Sequence, residues 1–505
     1  MPLDIYSCIH SSPDLGAVEI SNSHYFDESK LNQIILHPRP PGITLTRWLY
    51  DEIRAAILSG RLRRGSKIPS SREFAAQQGV SRHIVVNVFD QLVAEGYLYG
   101  HVGSGTRVRD QIPEDFLAQR SPKAVSRVTP SKADALPEGY DRPSRPFRLT
   151  EPALDQFPLA TWNRMSRRVS RLTTVQSLAG GEWAGATSLR AAVAAYLGAS
   201  RGVACTAENI VIVSGTQQSL DLLARLVTVP GDAVWLEDPC YIGAVDAFRL
   251  ADAVIVPVRV DENGLDPAHG RSQCPSPKAI YLTPAHQFGL GTTLSHDRRL
   301  DLLRLASSQG TVLIEDDYDS EFRFSGRPLP TLKGVDGAQS VFLLGSFNKT
   351  LFPALRLGYM VVPDAWLDRV LALRYRSDRY PPTMSQEITA AFIEEGHFDR
   401  HLRRMREVYG ARRAALESFV EQYLKGALKL PKIQAGLNTP AHLLMNGISA
   451  RRATEVAAQR GIEVWPIDRY TIRRRDLRAI MLGFAAFNEN QIRTGIQSLA
   501  KALVA

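Results

Sequence analysis

Lys349 stands within VFLLGSFNKTLFPALRLGY, residues 341–359, an apolar setting for a cationic side chain. Either its amine snorkels to water, or it is held inside because the nitrogen has chemistry to do there. A desolvated lysine amine that has lost its proton attacks carbonyl carbon and forms an imine. Three other groups would serve that chemistry. In SGTQQSL, residues 214–220, a glycine turn opens a helix, so the amides of Gly215, Thr216 and Gln217 and the helix dipole would receive a phosphate. In IEDDYDSEF, residues 314–322, a buried strand carries Glu315, Asp316 and Asp317. Carboxylates buried side by side need a positive partner, and a protonated ring nitrogen would suit one of them. The plainer alternative is that they cap the following turn. Arg356 follows Lys349 in the same stretch and can grip a phosphate through two N–H groups.

A phosphate cradle, a carboxylate for a ring nitrogen, an imine-forming lysine and an aromatic stacking partner at Tyr241 are what pyridoxal phosphate (PLP) requires. To converge, these groups must sit on strands that end at one edge. The stretches NIVIVSG, AVWLEDP, AVIVPVRV, KAIYLTP, TVLIEDD and SVFLLGS are short, rich in β-branched residues and followed by turn signals, with helical patterning between most of them. Apolar strands alternating with helices predict an α/β domain on a mostly parallel sheet, covered on both faces, with ligands at the carboxyl ends of its strands. From about Ala411 the pattern becomes that of a small α+β subdomain.

Ahead of this domain, residues 110–147 are punctuated by proline without an apolar period and predict a linker. Residues 43–109 carry ten Lys/Arg against five Asp/Glu, the balance of a nucleic-acid-binding module. Leu49, Ile53, Ala56 and Ile57 share one helical face; SSRE at 70–73 predicts a capping box that opens a second helix, and Gly79 ends it. A third helix begins near Ser81, with Val85, Val88, Phe89 and Leu92 facing inward and Arg82, His83 and Asn87 outward. Beyond it, the glycine-rich tip GHVGSG joins YLY to TRV. Helix, helix, turn, helix, wing predicts a winged helix-turn-helix whose third helix reads base edges.

The string from Gly60 to Val108 resembles the GntR-type winged helix throughout. By that resemblance the DNA contacts are Arg72, Ser81, Arg82, His83 and the wing residues Gly103 and Ser104. Downstream, FPLATW, LRAAVAAYLGASRGV, SGTQQSL, EDPCY, HQFGLG, EDDYDSEFRF and GSFNKTLFPALRLGY follow the order of fold-type I aminotransferases. The two halves together resemble the MocR/GabR family of regulators. The resemblance implies that Lys349 forms the Schiff base with PLP, that Asp316 pairs with the pyridine nitrogen and Tyr318 with the phenolic oxygen, and that Tyr241 stacks on the ring. It places Gly215, Thr216, Ser346, Asn348 and Arg356 on the phosphate and adds Gln217 and His286 to the cofactor set. It also implies a homodimer, and an operator as partner. The domain plan is an N-terminal extension 1–40, a winged domain 41–109, a linker 110–147 and an aminotransferase-like domain 148–505.

Three positions depart from the family pattern. Gly289 replaces a usual proline in HQFGLG, Gly243 stands where some members carry an arginine for the effector's acid group, and Met481 in MLGF takes the place of the late arginine that holds a substrate carboxylate. The functional expectation is a DNA-binding transcription regulator that senses PLP, or an amine or amino acid reacting at Lys349. The alternatives are a working aminotransferase with a DNA-binding domain, or a regulator whose large domain is a cofactor-free relic.

A chain of 505 residues, 44% hydrophobic, has enough apolar content for more than one packed domain. It lacks a membrane-length apolar run or a secretory pattern, which predicts a soluble cytoplasmic protein. Cys8, Cys205, Cys240 and Cys274 have neither disulfide nor zinc spacing, so reduced thiols and no metal are expected.

Overall fold

The computed structural model describes residues 36–101, 105–118, 145–324, 330–336 and 340–503. The chain divides into two compact units, Met1–Tyr140 and Asp141–Ala505.

In the first unit, helices α1 (Leu45–Leu58), α2 (Ser71–Gln78) and α3 (Arg82–Ala94) precede the antiparallel pair β1 (Leu98–His101) and β2 (Gly105–Val108). The expected capping box is present: Ser70 Oγ accepts from Glu73 N, and the Glu73 carboxylate accepts from Ser70 N. Gly79 closes α2 in the left-handed region at φ 64°, where a side chain would be strained. Leu49, Ile53, Phe74, Val85, Val88, Leu92, Leu98 and Val108 are wholly enclosed; burial of each such side chain contributes about 1.5–3 kcal/mol. The wing has a third edge that periodicity did not announce, because residues 65–68 run along β2 with Ile68 N donating to Thr106 O at 3.0 Å.

The unit also extends past its predicted ends. His37 bonds Glu52 on α1. A helix at Pro113–Ala118 lies inside the predicted linker, and its Glu114 and Asp115 pair with Arg54 and Arg64. Phe147, at the linker's other end, is fully buried in the second unit.

The second unit is built on eight strands: β3 (Ile210–Val213), β4 (Ala233–Asp238), β5 (Val254–Asp261), β6 (Gly264–Leu265), β7 (Ala279–Leu282), β8 (Val312–Asp317), β9 (Val341–Ser346) and β10 (Gly358–Val361). Their spatial order is β3-β10-β9-β8-β7-β4-β5-β6. The run from β9 to β5 is parallel, while β10 is antiparallel to both its neighbours. In β3, Ile210 and Ile212 enter one core and Val211 and Val213 the other, as a sheet buried on both faces requires. All six expected strands are present; GYMV, which forms β10, was not among them.

The helix His397–Leu424 leads into a second sheet made of β11 (Leu428–Lys429), β12 (Asn438–Leu443), β13 (Trp465–Pro466) and β14 (Ala479–Gly483). No helix of the described residues is long and apolar enough to cross a membrane, and Cys205, Cys240 and Cys274 are free thiols.

Candidate functional site

The carboxyl ends of β4, β7, β8 and β9 are neighbours in the sheet, so their terminal side chains converge at one edge. Lys349 lies one turn past β9, in the short helix Phe347–Thr350 that Ser346 caps through Asn348 N. The residue is half-buried, and its Nζ donates to the carbonyl of Thr150 at 2.8 Å. Burial lowers the amine's pKa to about 8, against the opposing pull of Asp319, Glu151 and Asp316. Desolvation favours loss of the proton, and the charges around it are carboxylates that retain it.

Asp316 comes from β8, on the strand beside the lysine. Its Oδ2 accepts from the Tyr281 hydroxyl at 2.8 Å, while its Oδ1 is buried without a hydrogen-bond partner. Burial raises its pKa to about 7; the Tyr281 bond and Lys349 oppose the shift, and Asp317 and Asp319 add to it. A buried, half-satisfied carboxylate is costly in isolation and fits a site made for a cationic N–H. Its neighbours in the run play other parts. Glu315 accepts from the amides of Leu332 and Lys333, and Asp317 pairs with buried Arg201 at 2.6 Å, so capping and cation pairing divide the run between them.

Gly215 precedes the helix Thr216–Val227 with φ 128°, and a Cβ there would stand 3.2 Å from Asn348 Nδ2. The helix start has no side-chain cap, which leaves its first amides without a capping side chain. Asn348 Oδ1 is likewise buried and unpartnered. Arg356 is exposed, in the left-handed region at φ 53°, with no ion pair among the described residues.

Tyr241 caps the helix Ile242–Leu250, its hydroxyl 3.4 Å from Gln217 Oε1 and its ring edge-on to Phe288. Gln217 also donates to Gly243 O. Gly243 has a physical reason: a Cβ there would lie 2.1 Å from Gln217 Oε1 and 2.6 Å from the Tyr241 ring. Gly289 has φ 115°, closed to proline in this loop path, and its Cβ would meet Pro239 at 2.8 Å.

Tyr318 is buried with its hydroxyl 3.2 Å from His286 Nδ1, and that nitrogen is bound to Asp319 at 3.0 Å. Sequence reasoning missed Asp319, Thr150 and Glu237. Glu237, at the end of β4, accepts from Thr283 N and Oγ1 and from Gln287, and burial raises its pKa to about 7. The acid in EDPCY was a visible signal for it; no signal linked Thr150 to a lysine 199 residues away.

In the first unit, Arg72, Ser81, Arg82 and His83 are all exposed, and Ser81 caps α3 without a side-chain bond, so its hydroxyl and the first amides are unspent. Gly103 and Ser104 lie outside the described residues.

The bacterial regulatory proteins of the gntR family match residues 45–108, and aminotransferase class I and II matches 155–499. A probable rhizopine catabolism regulatory protein, MocR, of Rhizobium meliloti is 36% identical over 92% of this chain and 95% of its own length. The chain belongs to the MocR/GabR family of gntR-type regulators. The pyridoxine biosynthesis transcriptional regulator PdxR of Corynebacterium glutamicum is 28% identical across 93% of this chain and 98% of its own. Among solved structures, a kynurenine aminotransferase of Pyrococcus horikoshii in complex with PMP matches 76% of this chain and 98% of its own at TM-score 0.69 and 26% identity. Like its relatives, this family member joins a winged DNA-binding domain to an aminotransferase fold.

Proposed function

We propose that this transcription regulator holds PLP at Lys349 and changes its hold on an operator when PLP, or an amine beside it, occupies the site. The observation that carries the reading is the pairing of Lys349, its amine depressed to about 8 by burial, with Asp316, whose buried Oδ1 lacks a partner on the adjacent strand. When bound, PLP would supply an aldehyde for the amine and an electron-accepting ring. Asp316 would receive the ring N–H, Tyr318 would serve the phenolic oxygen and Tyr241 would cover the ring. Gly215, Thr216, Ser346, Asn348 and Arg356 would hold the phosphate. His286, fixed by Asp319, orients Tyr318.

Arg72, Ser81 and Arg82 carry phosphate and base contacts, as their exposure allows. A homodimer is favoured by uncovered apolar side chains on the second unit: Leu159, Leu172, Val175, Leu178 and Trp183, of which Val175 is 86% exposed. Transaminase turnover is disfavoured because Met481, not arginine, fills the substrate-carboxylate position.

The test is hydride reduction of PLP-saturated protein followed by peptide mass mapping. Cofactor mass on Lys349, lost in Lys349→Ala while operator binding by the winged domain survives, supports the reading. Modification elsewhere, or none, refutes it.

A further inference from the structure

Met481 is fully buried in β14, in register with Pro440 and Trp465. It packs with Leu149, Ile467 and Ala479, and Leu290, Trp465 and Tyr470 lie against the same cluster. Phe288 extends this wall to the site, edge-on to Tyr470 at 5.2 Å, to Tyr241 at 5.6 Å and to Tyr318 at 6.0 Å. Leu149 also ties the cluster to the lysine, because the next residue is Thr150, which accepts the Lys349 amine. A carboxylate seated against this wall would lose its water and gain no partner.

Four nearby guanidinium groups are engaged elsewhere. Arg148 holds Glu463 through Nε at 3.0 Å and Nη2 at 2.8 Å and reaches Glu151 at 3.4 Å. Arg469 lies over the Trp465 ring, Arg474 grips Asp476, and Arg478 turns to the carbonyls of Met445 and Ile448. The charged groups that face the Lys349 amine, namely Asp319, Glu151 and Asp316, are all negative. An incoming ammonium meets a backbone acceptor and a favourable field; an incoming carboxylate meets repulsion and an apolar wall.

Resting on the cofactor reading above, we infer that the small-molecule ligand of this site is a primary amine without a carboxylate, its nitrogen received by Thr150 O and Glu151 and its body by Phe288, behind which Leu149 and Met481 keep the wall apolar. α-Amino acids are excluded by the same residues that admit the amine.

Isothermal calorimetry on the full chain saturated with PLP tests this with matched pairs, 3-methylbutylamine against leucine and 2-phenylethylamine against phenylalanine. Each amine is expected to bind at least about ten-fold tighter than its amino acid. Glu151→Gln should narrow that gap roughly three-fold or more by weakening the amine alone. An amino acid that binds as tightly as its amine, or binding by neither, overturns the inference. Absorbance before ligand addition separates this failure from that of the cofactor reading: a chain that takes up no PLP removes the premise, and the inference falls with it.

Discussion

Asp316→Asn should act in opposite directions on the two states of the protein. In the cofactor-free chain the Asp316 carboxyl titrates at about 7 instead of 3.8. Every tenfold weakening of an acid corresponds to about 1.4 kcal/mol, so above pH 7 the ionised group destabilises the fold by about 4 kcal/mol at most. Asparagine removes that charge and keeps an oxygen for the Tyr281 hydroxyl, which now bonds Oδ2. Its amide N–H replaces the orphaned Oδ1 and remains unpaired at a cost of about 1–3 kcal/mol. The net expectation is stabilisation by about 1–3 kcal/mol, or roughly 1–4 °C in melting temperature for a unit of this size. In the PLP-bound chain the sign reverses, because a ring N–H that met a carboxylate would meet a neutral amide, and cofactor affinity should fall about ten-fold or more. Differential scanning calorimetry at pH 8 without PLP and an absorbance titration with it measure the two effects. A variant that melts lower without cofactor, or holds PLP as tightly as the parent, refutes the reasoning.

Gly243→Ala should weaken PLP binding several-fold with little loss of stability, because the new methyl displaces Gln217 and the Tyr241 ring from their present places; fluorescence titration of the purified variant checks it. Arg82→Ala should weaken operator binding, and if the contact is to phosphate, lower the slope of log affinity against log salt by about 0.9 in a gel-shift series. Glu237, Glu315, Asp316 and Glu321 all have pKa values raised to about 7 by burial. Between pH 4 and 7 the folded state therefore binds more protons than the unfolded state, so stability falls as pH rises through that window. The cofactor-free melting temperature should drop from pH 5 to pH 8, and bound PLP should flatten the part owed to Asp316.

Local patterns were legible in the sequence wherever the cause was local. SSRE at 70–73 announced its capping box because Ser70 and Glu73 are within one turn of each other. Six strands of the large sheet announced themselves through β-branched runs, and Lys349 through its place after one of them. What stayed hidden depends on partners distant along the chain. β10 is a four-residue strand whose only claim to the sheet is the slot between β3 and β9. The linker was drawn too long because Glu114, Asp115 and Phe147 are held by contacts with remote residues, and composition does not record them. The carboxylates around Lys349 were hidden for the same reason, since Glu151 and Asp319 come from separate segments.

Thr150 adopts φ 59°, and Phe147, three residues before it, adopts φ 72°, both uncommon for side-chain-bearing residues. Such a bend is held from outside: at one end by Gly483 N on Phe147 O, at the other by the Lys349 amine on Thr150 O. The latch is single-keyed, for one nitrogen cannot both fasten that carbonyl and join an aldehyde. An aldehyde that captured Lys349 would therefore release the Thr150 end of this bend while Gly483 still held the Phe147 end.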